Sequence, residues 1–305
     1  MAPLTAASLL LAGLVGGCSV GSSRESILPS SRSVPLRTVE FSGHRYVVPV
    51  DFDSIGDVPL MVHGNSRLYA SLTHRVGERL IGGPVPKVED YGYSTKGKGV
   101  IRVSRIRIAG RTFAGDSAVP VFDFSEDGDT PVQGMVGVPF LLAAKAAVDF
   151  AGDRLLLGVA VSREPNRSLL ASGYRWTPLA VHPGGRVTVD ATFPVLRRVV
   201  RITPSTVSSG LTLHLPLFAD AIPMRKSPSP DRSPSGTTPD EFTADSVAFE
   251  IAGVSMRSPA SFEDFAEYSN VSEDELETFG MLGFDWMKEH QAVLDYANRR
   301  LYFRP

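Results

Sequence analysis

The chain has 305 residues, with 31 Lys and Arg against 33 Asp and Glu, and a mean hydropathy of +0.01. This length allows one large or two smaller domains, and 43% apolar residues are enough to bury a sizeable core. The balanced charge excludes the basic surplus expected of a nucleic-acid-binding protein, and 28 glycines and 23 prolines favour short strands and many turns over long helices.

Residues 1–18 form a run of leucine and small residues of signal-peptide length, too short to span a bilayer, that ends in Val15-Gly16-Gly17-Cys18. Small residues before a cysteine resemble the bacterial lipobox, in which the cysteine is acylated and becomes the mature N-terminus. No Lys or Arg precedes the apolar run, so an ordinary signal peptide with an incidental cysteine is the other reading. Cys18 is the sole cysteine, which excludes an intrachain disulfide. The serine-rich residues 19–38 read as a flexible tether. On this reading the protein is exported and touches a membrane only through a lipid on Cys18.

From residue 39 onward the pattern is mostly β. HRYVVPVDF (44–52), GVIRVSRIRIAG (99–110), AVPVFDF (118–124), RVTVDATF (186–193) and SVAFEIAG (246–253) are alternating or β-branched runs bounded by Gly, Pro and Asp. Residues 98–115 read as a hairpin. Helices are expected to be short, one near Thr73-His74-Arg75-Val76 and one started by the capping box Ser272-x-x-Glu275. Residues 163–175 read as a linker. The Pro/Ser-rich stretch 225–241 reads as a mobile surface loop.

Two internal repeats organise the chain. GMVGVPFLLAAKAAVDFAGDRLLLG (134–158) aligns without a gap over GMLGFDWMKEHQAVLDYANRRLYFR (280–304), with eight identities in 25 positions. Each copy reads as a Gly-x-x-Gly turn, a short amphipathic helix, a strand ending in Asp149 or Asp295, a tight turn and a last apolar strand. Upstream, PLMVHGNSRLYASLT (59–73) and RVVRITPSTVSSGLT (198–212) share another rhythm: an apolar strand, a polar tip, then a return to apolar residues. The chain therefore reads as two copies of one unit, 39–162 and 176–305.

This layout resembles the aspartic-protease family, in its retropepsin and pepsin-like forms and in a bacterial secreted branch. The resemblance implies an all-β fold with short helices, built as two similar lobes that each bring one Asp-Thr/Ser-Gly turn to a shared cleft. It also implies that Gly-x-x-Gly crosses behind that turn. In the family two neighbouring carboxylates share a proton, one activating water and the other donating to the substrate carbonyl. Laid on this sequence, the family positions fall on His63-Gly64-Asn65 with Ser66, and on Ile202-Thr203-Pro204 with Ser205. His63 and Ile202 then stand where the two aspartates are expected. One histidine and one isoleucine cannot reproduce a proton-sharing carboxylate pair, so no catalytic residue is expected. Asp51, Asp53 and Asp57 before the first tip, and Asp190 before the second, read as surface carboxylates. A displaced active turn at Asp53-Ser54-Ile55-Gly56 finds no glycine-bearing match after Asp190.

The remaining motifs are weaker. Asp123, Ser125, Asp127 and Gly128 have EF-hand loop spacing, but the twelfth position is Gly134, where a bidentate Glu is required. Gly115-Asp116-Ser117-Ala118 reads as a turn, and Asp149 and Asp295 read as turn-capping carboxylates. His63 and His74 belong to no metal-binding pattern, no loop reads as phosphate-binding, and no cofactor or metal is expected. Three functions remain: a non-catalytic cleft protein holding an extended peptide or protein segment by strand addition, an aspartyl endopeptidase using displaced carboxylates or His63, and a structural envelope protein whose cleft is filled by side chains such as Met61, Leu68, Tyr69 and Val200.

Overall fold

The computed structural model describes residues 28–41, 43–52, 55–86, 99–122, 131–182, 185–227, 241–265 and 280–305. Residues 1–18 with Cys18, Asp53-Ser54, the acidic run 123–130, the Ser272–Glu275 capping box and most of 225–241 lie outside them. No helix among the described residues is long and apolar enough to cross a membrane.

In the first half the strands are β1 (Arg32–Pro35), β2 (Arg37–Glu40), β3 (His44–Phe52), β4 (Gly56–Val62), β5 (Ala70–Leu72), β6 (Gly99–Ile108), β7 (Arg111–Val121), β8 (Gly134–Val136), β9 (Ala147–Asp149) and β10 (Arg154–Leu157), with helices α1 (His74–Ile81) and α2 (Val138–Ala143). The second half holds helix α3 (Arg167–Ala171) and strands β11 (Arg175–Pro178), β12 (Ala180–Val181), β13 (Val187–Phe193), β14 (Arg198–Pro204) and β15 (Leu211–His214). These are followed by helix α4 (Leu215–Phe218) and strands β16 (Arg225–Lys226), β17 (Phe242–Ile251), β18 (Val254–Glu263) and β19 (Gly280–Leu282). Helix α5 (Phe284–Glu289) and strands β20 (Val293–Asp295) and β21 (Arg300–Phe303) complete it.

The strands build two matching sheets. One runs β2-β3-β4-β8-β5-β7-β6 and the other β12-β13-β14-β19-β15-β18-β17, with β16 added at its edge. Each is closed by a further contact, β3 to β6 and β13 to β17. The hairpins β6–β7 and β17–β18 turn through the same dipeptide. Ala109-Gly110 and Ala252-Gly253 all have positive φ, from 50° to 76°, the backbone that a two-residue hairpin with the native twist requires. A third sheet, β1-β10-β9-β20-β21-β11, joins the lobes. At its centre Val148 pairs with Leu294, its own partner in the sequence repeat, so the pseudo-two-fold axis passes between them. Apolar side chains from both lobes and the joining sheet form one continuous core, which includes Phe52, Phe140, Phe193, Phe249 and Tyr296. Full burial of each such side chain contributes about 1.5–3 kcal/mol.

Three expectations change. Gly134–Val136 and Gly280–Leu282 are strands, and their second glycines, Gly137 and Gly283, stand at the helix starts. Residues 28–38 are not tether: Leu28, Val34 and Leu36 are buried, and β1 pairs along its length with β10. Residues 163–175 are not a plain linker either. Asn166 caps α3 by accepting from Leu169 N, and Leu169 and Tyr174 pack with Leu28 under the joining sheet. Asp149 and Asp295 do cap their turns: Asp149 accepts from the amides of Ala151 and Gly152, and Asp295 from Asn298.

Candidate functional site

The site is the meeting point of the turns that follow β4 and β14. β4 runs parallel to β8, with Met61 beside Met135 and Val62 beside Val136. β14 runs parallel to β19, with Thr203 beside Met281 and Pro204 beside Leu282. Since residues 134–158 and 280–304 are repeat partners, Met61 corresponds to Thr203, Val62 to Pro204 and His63 to Ser205. The backbone repeats the same register. His63 N donates to Val136 O at 2.9 Å and Ser205 N to Leu282 O at 2.8 Å, while Ser66 O accepts from Val138 N and Ser208 O from Phe284 N.

This register corrects the sequence alignment by three residues. Ile202 is not at the tip: it pairs with Val189 inside β14 and is fully buried in the lobe core. Ser66 corresponds to Ser208, and Ser205 to His63. Thr203 and Pro204 are the last strand residues. A polar threonine followed by proline looks like a turn in sequence, yet both can end a strand whose outer face meets other polar groups. The second tip is Ser205-Thr206-Val207.

The two turns touch through one hydroxyl. Thr206 Oγ1 donates to Val62 O at 2.5 Å and accepts from Gly64 N at 2.7 Å, and Thr206 is fully buried. The mirror-image bond is absent because Gly64 has no side chain. Tyr296, just beyond β20, occupies that space: a Cβ built on Gly64 would lie 2.8 Å from its hydroxyl, which donates to Gly64 O at 3.3 Å. The repeat partner of Tyr296 is Phe150, which has no hydroxyl. Thr206→Val removes the donor and leaves Gly64 N buried without an acceptor. A loss of about 2 kcal/mol is expected in chemical denaturation, whereas Thr206→Ser should stay near wild type.

The third tip residues, Asn65 and Val207, each reach the opposite lobe. Val207 packs on a first-lobe cluster of Val47, Met61, Val132 and Met135, together with Leu68. Asn65 Nδ2 lies 3.9 Å from Met281 Sδ of the second lobe. Of the side chains considered as cleft fillers, Met61 and Leu68 belong to this closed cluster. Tyr69 instead packs edge-on against Phe140, and Val200 sits in the lobe core.

His63 retains partial surface exposure, but its Nδ1 is buried and unpartnered. Burial, followed by the Arg45 guanidinium, pushes its pKa down to about 4, so the imidazole is neutral at pH 7. Ser205 has no exposed surface, and its Oγ accepts from the amides of Val207 and Ser208 at 3.2 and 3.1 Å. Ser66 Oγ does the same for Leu68 N. The geometry therefore gives no serine–histidine pair, since the serine oxygen is engaged as a turn acceptor and holds no hydrogen bond to His63. The hydrogen bonds of the two tips reach hydroxyls, backbone groups and a thioether. Asp51 pairs with Arg107 at 2.7 Å on β3 and β6, and Asp57 and Asp190 lie exposed on their strands. His74 starts α1, and the described residues hold no cluster of three or more metal-ligating side chains.

No family model matches the chain, and no curated protein does. Solved structures do match. The aspartic proteinase from Irpex lacteus superposes with a TM-score of 0.50 at 12% identity, covering 90% of this chain and 96% of that one. Basic 7S globulin from soybean gives a TM-score of 0.45 at 13% identity, over 89% and 93%. The duplicated lobes, the strand order and the first of these likenesses agree that the chain has the two-lobed fold of the pepsin-like aspartic proteinases.

Proposed function

We propose that this chain is a non-catalytic aspartic-protease-like protein whose inter-lobe cleft holds an extended peptide or protein segment. The observation that carries the reading is the identity of the two symmetry-related tip residues, His63 and Ser205. They stand where the family resemblance calls for two carboxylates, and neither can share a proton as a carboxylate pair does. Asn65 and Val207 support it further. They stand at the family's glycine positions, and their side chains fill space beside the tips. The reading takes an inter-lobe cleft from the likeness of the fold, and strand addition needs backbone groups rather than catalytic ones.

Purified protein incubated with a broad peptide pool from pH 3 to 7 is expected to show no cleavage and no change with pepstatin, whose hydroxyl sits between paired carboxylates. Cleavage by wild type that vanishes in His63→Ala would overturn the proposal and make His63 catalytic. We extend the proposal to location: a protein exported and held at the bacterial cell envelope by a lipid on Cys18. Cys18→Ser should then move it from the membrane to the soluble fraction, and unchanged fractionation would remove the lipid anchor from the account.

A further inference from the structure

The duplication allows the two halves of the inter-lobe joint to be compared position by position. Continuing the β13–β14 register places Thr188 opposite Thr203, as Val47 lies opposite Met61. Thr212 lies beside Met281 as Ser71 lies beside Met135. Val47 and Met61 of the first lobe are thus replaced by the hydroxyl residues Thr188 and Thr203 of the second. The first-lobe half is mainly apolar, with Met61, Met135, Val47 and Val132 buried together beneath Val207 and the Ser71 hydroxyl buried unpartnered beside Met135. In the second-lobe half, Thr188 is bonded to His182 at 2.7 Å and Thr212 accepts from Ser261 at 3.1 Å. Thr203 Oγ1, Asn65 Oδ1 and Ser208 Oγ are buried without any partner. Ile202 faces the core, so Thr203 faces the other side of the sheet, beside Met281. Asn65 meets Met281 from across the joint. Met281 and Asn65 both keep partial exposure, so the edge of this half reaches the surface of the described residues.

We propose that Thr203, Asn65 and Met281 form a subsite for an uncharged hydrogen-bonding side chain, a carboxamide of glutamine type, on a bound peptide. The inference rests on the peptide-binding reading of the cleft. Buried polar groups in native proteins are satisfied by protein, water or ligand, and the two unpartnered groups that flank Met281, Thr203 Oγ1 and Asn65 Oδ1, suit one partner that both donates and accepts. Asn65, which also neighbours the His63 imidazole, keeps Oδ1 as an acceptor for an N–H, while the Thr203 hydroxyl can donate to a carbonyl. A primary carboxamide offers both at one planar end, and its methylene stem suits the Met281 thioether. None of the three residues is charged, so a carboxylate or ammonium would be desolvated there without a counter-charge.

The test uses two acetylated, amidated hexapeptide pools, randomised except for one fixed residue, glutamine in one pool and norleucine in the other. Binding is read from the Met281 methyl signal by NMR. The glutamine pool is expected to bind about tenfold more tightly, because a site built to hydrogen-bond rejects an analogue that cannot. Thr203→Val, nearly isosteric, should abolish that preference, Asn65→Leu should reduce it independently, and Thr203→Ser should retain it. Equal binding of the two pools, or a preference untouched by both Thr203→Val and Asn65→Leu, overturns the subsite and leaves peptide binding standing. Binding of neither pool overturns the subsite and the peptide-binding reading together.

Discussion

Gly137→Ala and Gly283→Ala are each expected to destabilise the protein by about 3–5 kcal/mol, the range of severe packing defects. Neither glycine is needed for its backbone angles, since φ is −110° at Gly137 and −86° at Gly283, both open to any residue. The reason is space. A Cβ at Gly137 would lie 2.1 Å from Leu68 O and 2.8 Å from Ser66 O, and one at Gly283 would lie 2.4 Å from Gly210 O and 2.5 Å from Ser208 O. These atoms are backbone and cannot rotate away. They also belong to the tips themselves: Ser66 O accepts from Val138 N, Ser208 O from Phe284 N, and Ser209 O from Asp285 N. An added methyl group must therefore push each tip off the strand that crosses behind it. Gly82 is the control. It has φ +71° with nothing near its missing Cβ, so Gly82→Ala should cost only the left-handed strain, about 1 kcal/mol. Denaturant midpoints give the comparison. If Gly137→Ala costs no more than Gly82→Ala, the close crossing behind the tips is wrong.

The same glycines show what could be read from the sequence. Their repeated spacing made the duplication visible, because a position that tolerates no Cβ keeps its residue in both copies. The paired turn capping by Asp149 and Asp295 was legible for a similar reason, since each carboxylate bonds amides within three residues of itself. The register of the second tip was not legible. What fixes it is the parallel pairing of β14 with β19, nearly 80 residues later in the chain, and no local feature of Ile202-Thr203-Pro204-Ser205 reports that pairing. The role of Thr206 was hidden too, because its two partners, Val62 and Gly64, lie in the other lobe. Gly64 gave one clue: a glycine at a polar tip marks either a special φ or a close approach, and here it is the approach of Thr206 and Tyr296.

The joint is also asymmetric on its outer side, which bears on how the lobes are held. Asp153, in the β9–β10 turn, accepts from the Tyr46 phenol of the first lobe and from Lys288 Nζ of α5, which also donates to Phe150 O at 2.8 Å. Phe284 packs edge-on against both Tyr46 and Phe150. The repeat partners of Asp153 and Lys288 are Arg299 and Leu142, so this clamp has no twin. One flank of the molecule is thus fastened by charge and aromatic packing, and the tips by the Thr206 hydroxyl.

Acid is expected to weaken this protein through His63. Its pKa in the folded chain is about 4, below the ordinary value of 6.5. The native state thus resists taking a proton that the unfolded chain accepts readily. As pH falls below 6.5 the unfolded state binds more protons than the native state, and stability declines until about pH 4, where native His63 also titrates. At 1.36 kcal/mol per pKa unit the full shift corresponds to about 3 kcal/mol, and the partial exposure of His63 brings this nearer 2. Asp149 and Asp295 act in the opposite direction. Burial, the largest influence on each, raises their pKa, so protonation in acid relieves a penalty they carry at neutral pH. The total stability curve therefore mixes signs, and the informative quantity is the difference between wild type and His63→Gln. Wild type should lose about 2 kcal/mol more than the variant between pH 7 and pH 4. Parallel curves would mean that His63 is hydrated rather than held between the lobes. A carboxylate pair that shares one proton is built to hold it in acid; a neutral imidazole beside Arg45 is built to refuse it. The acid sensitivity of the fold and the proposed lack of proteolysis would then share one residue, His63 at the first tip.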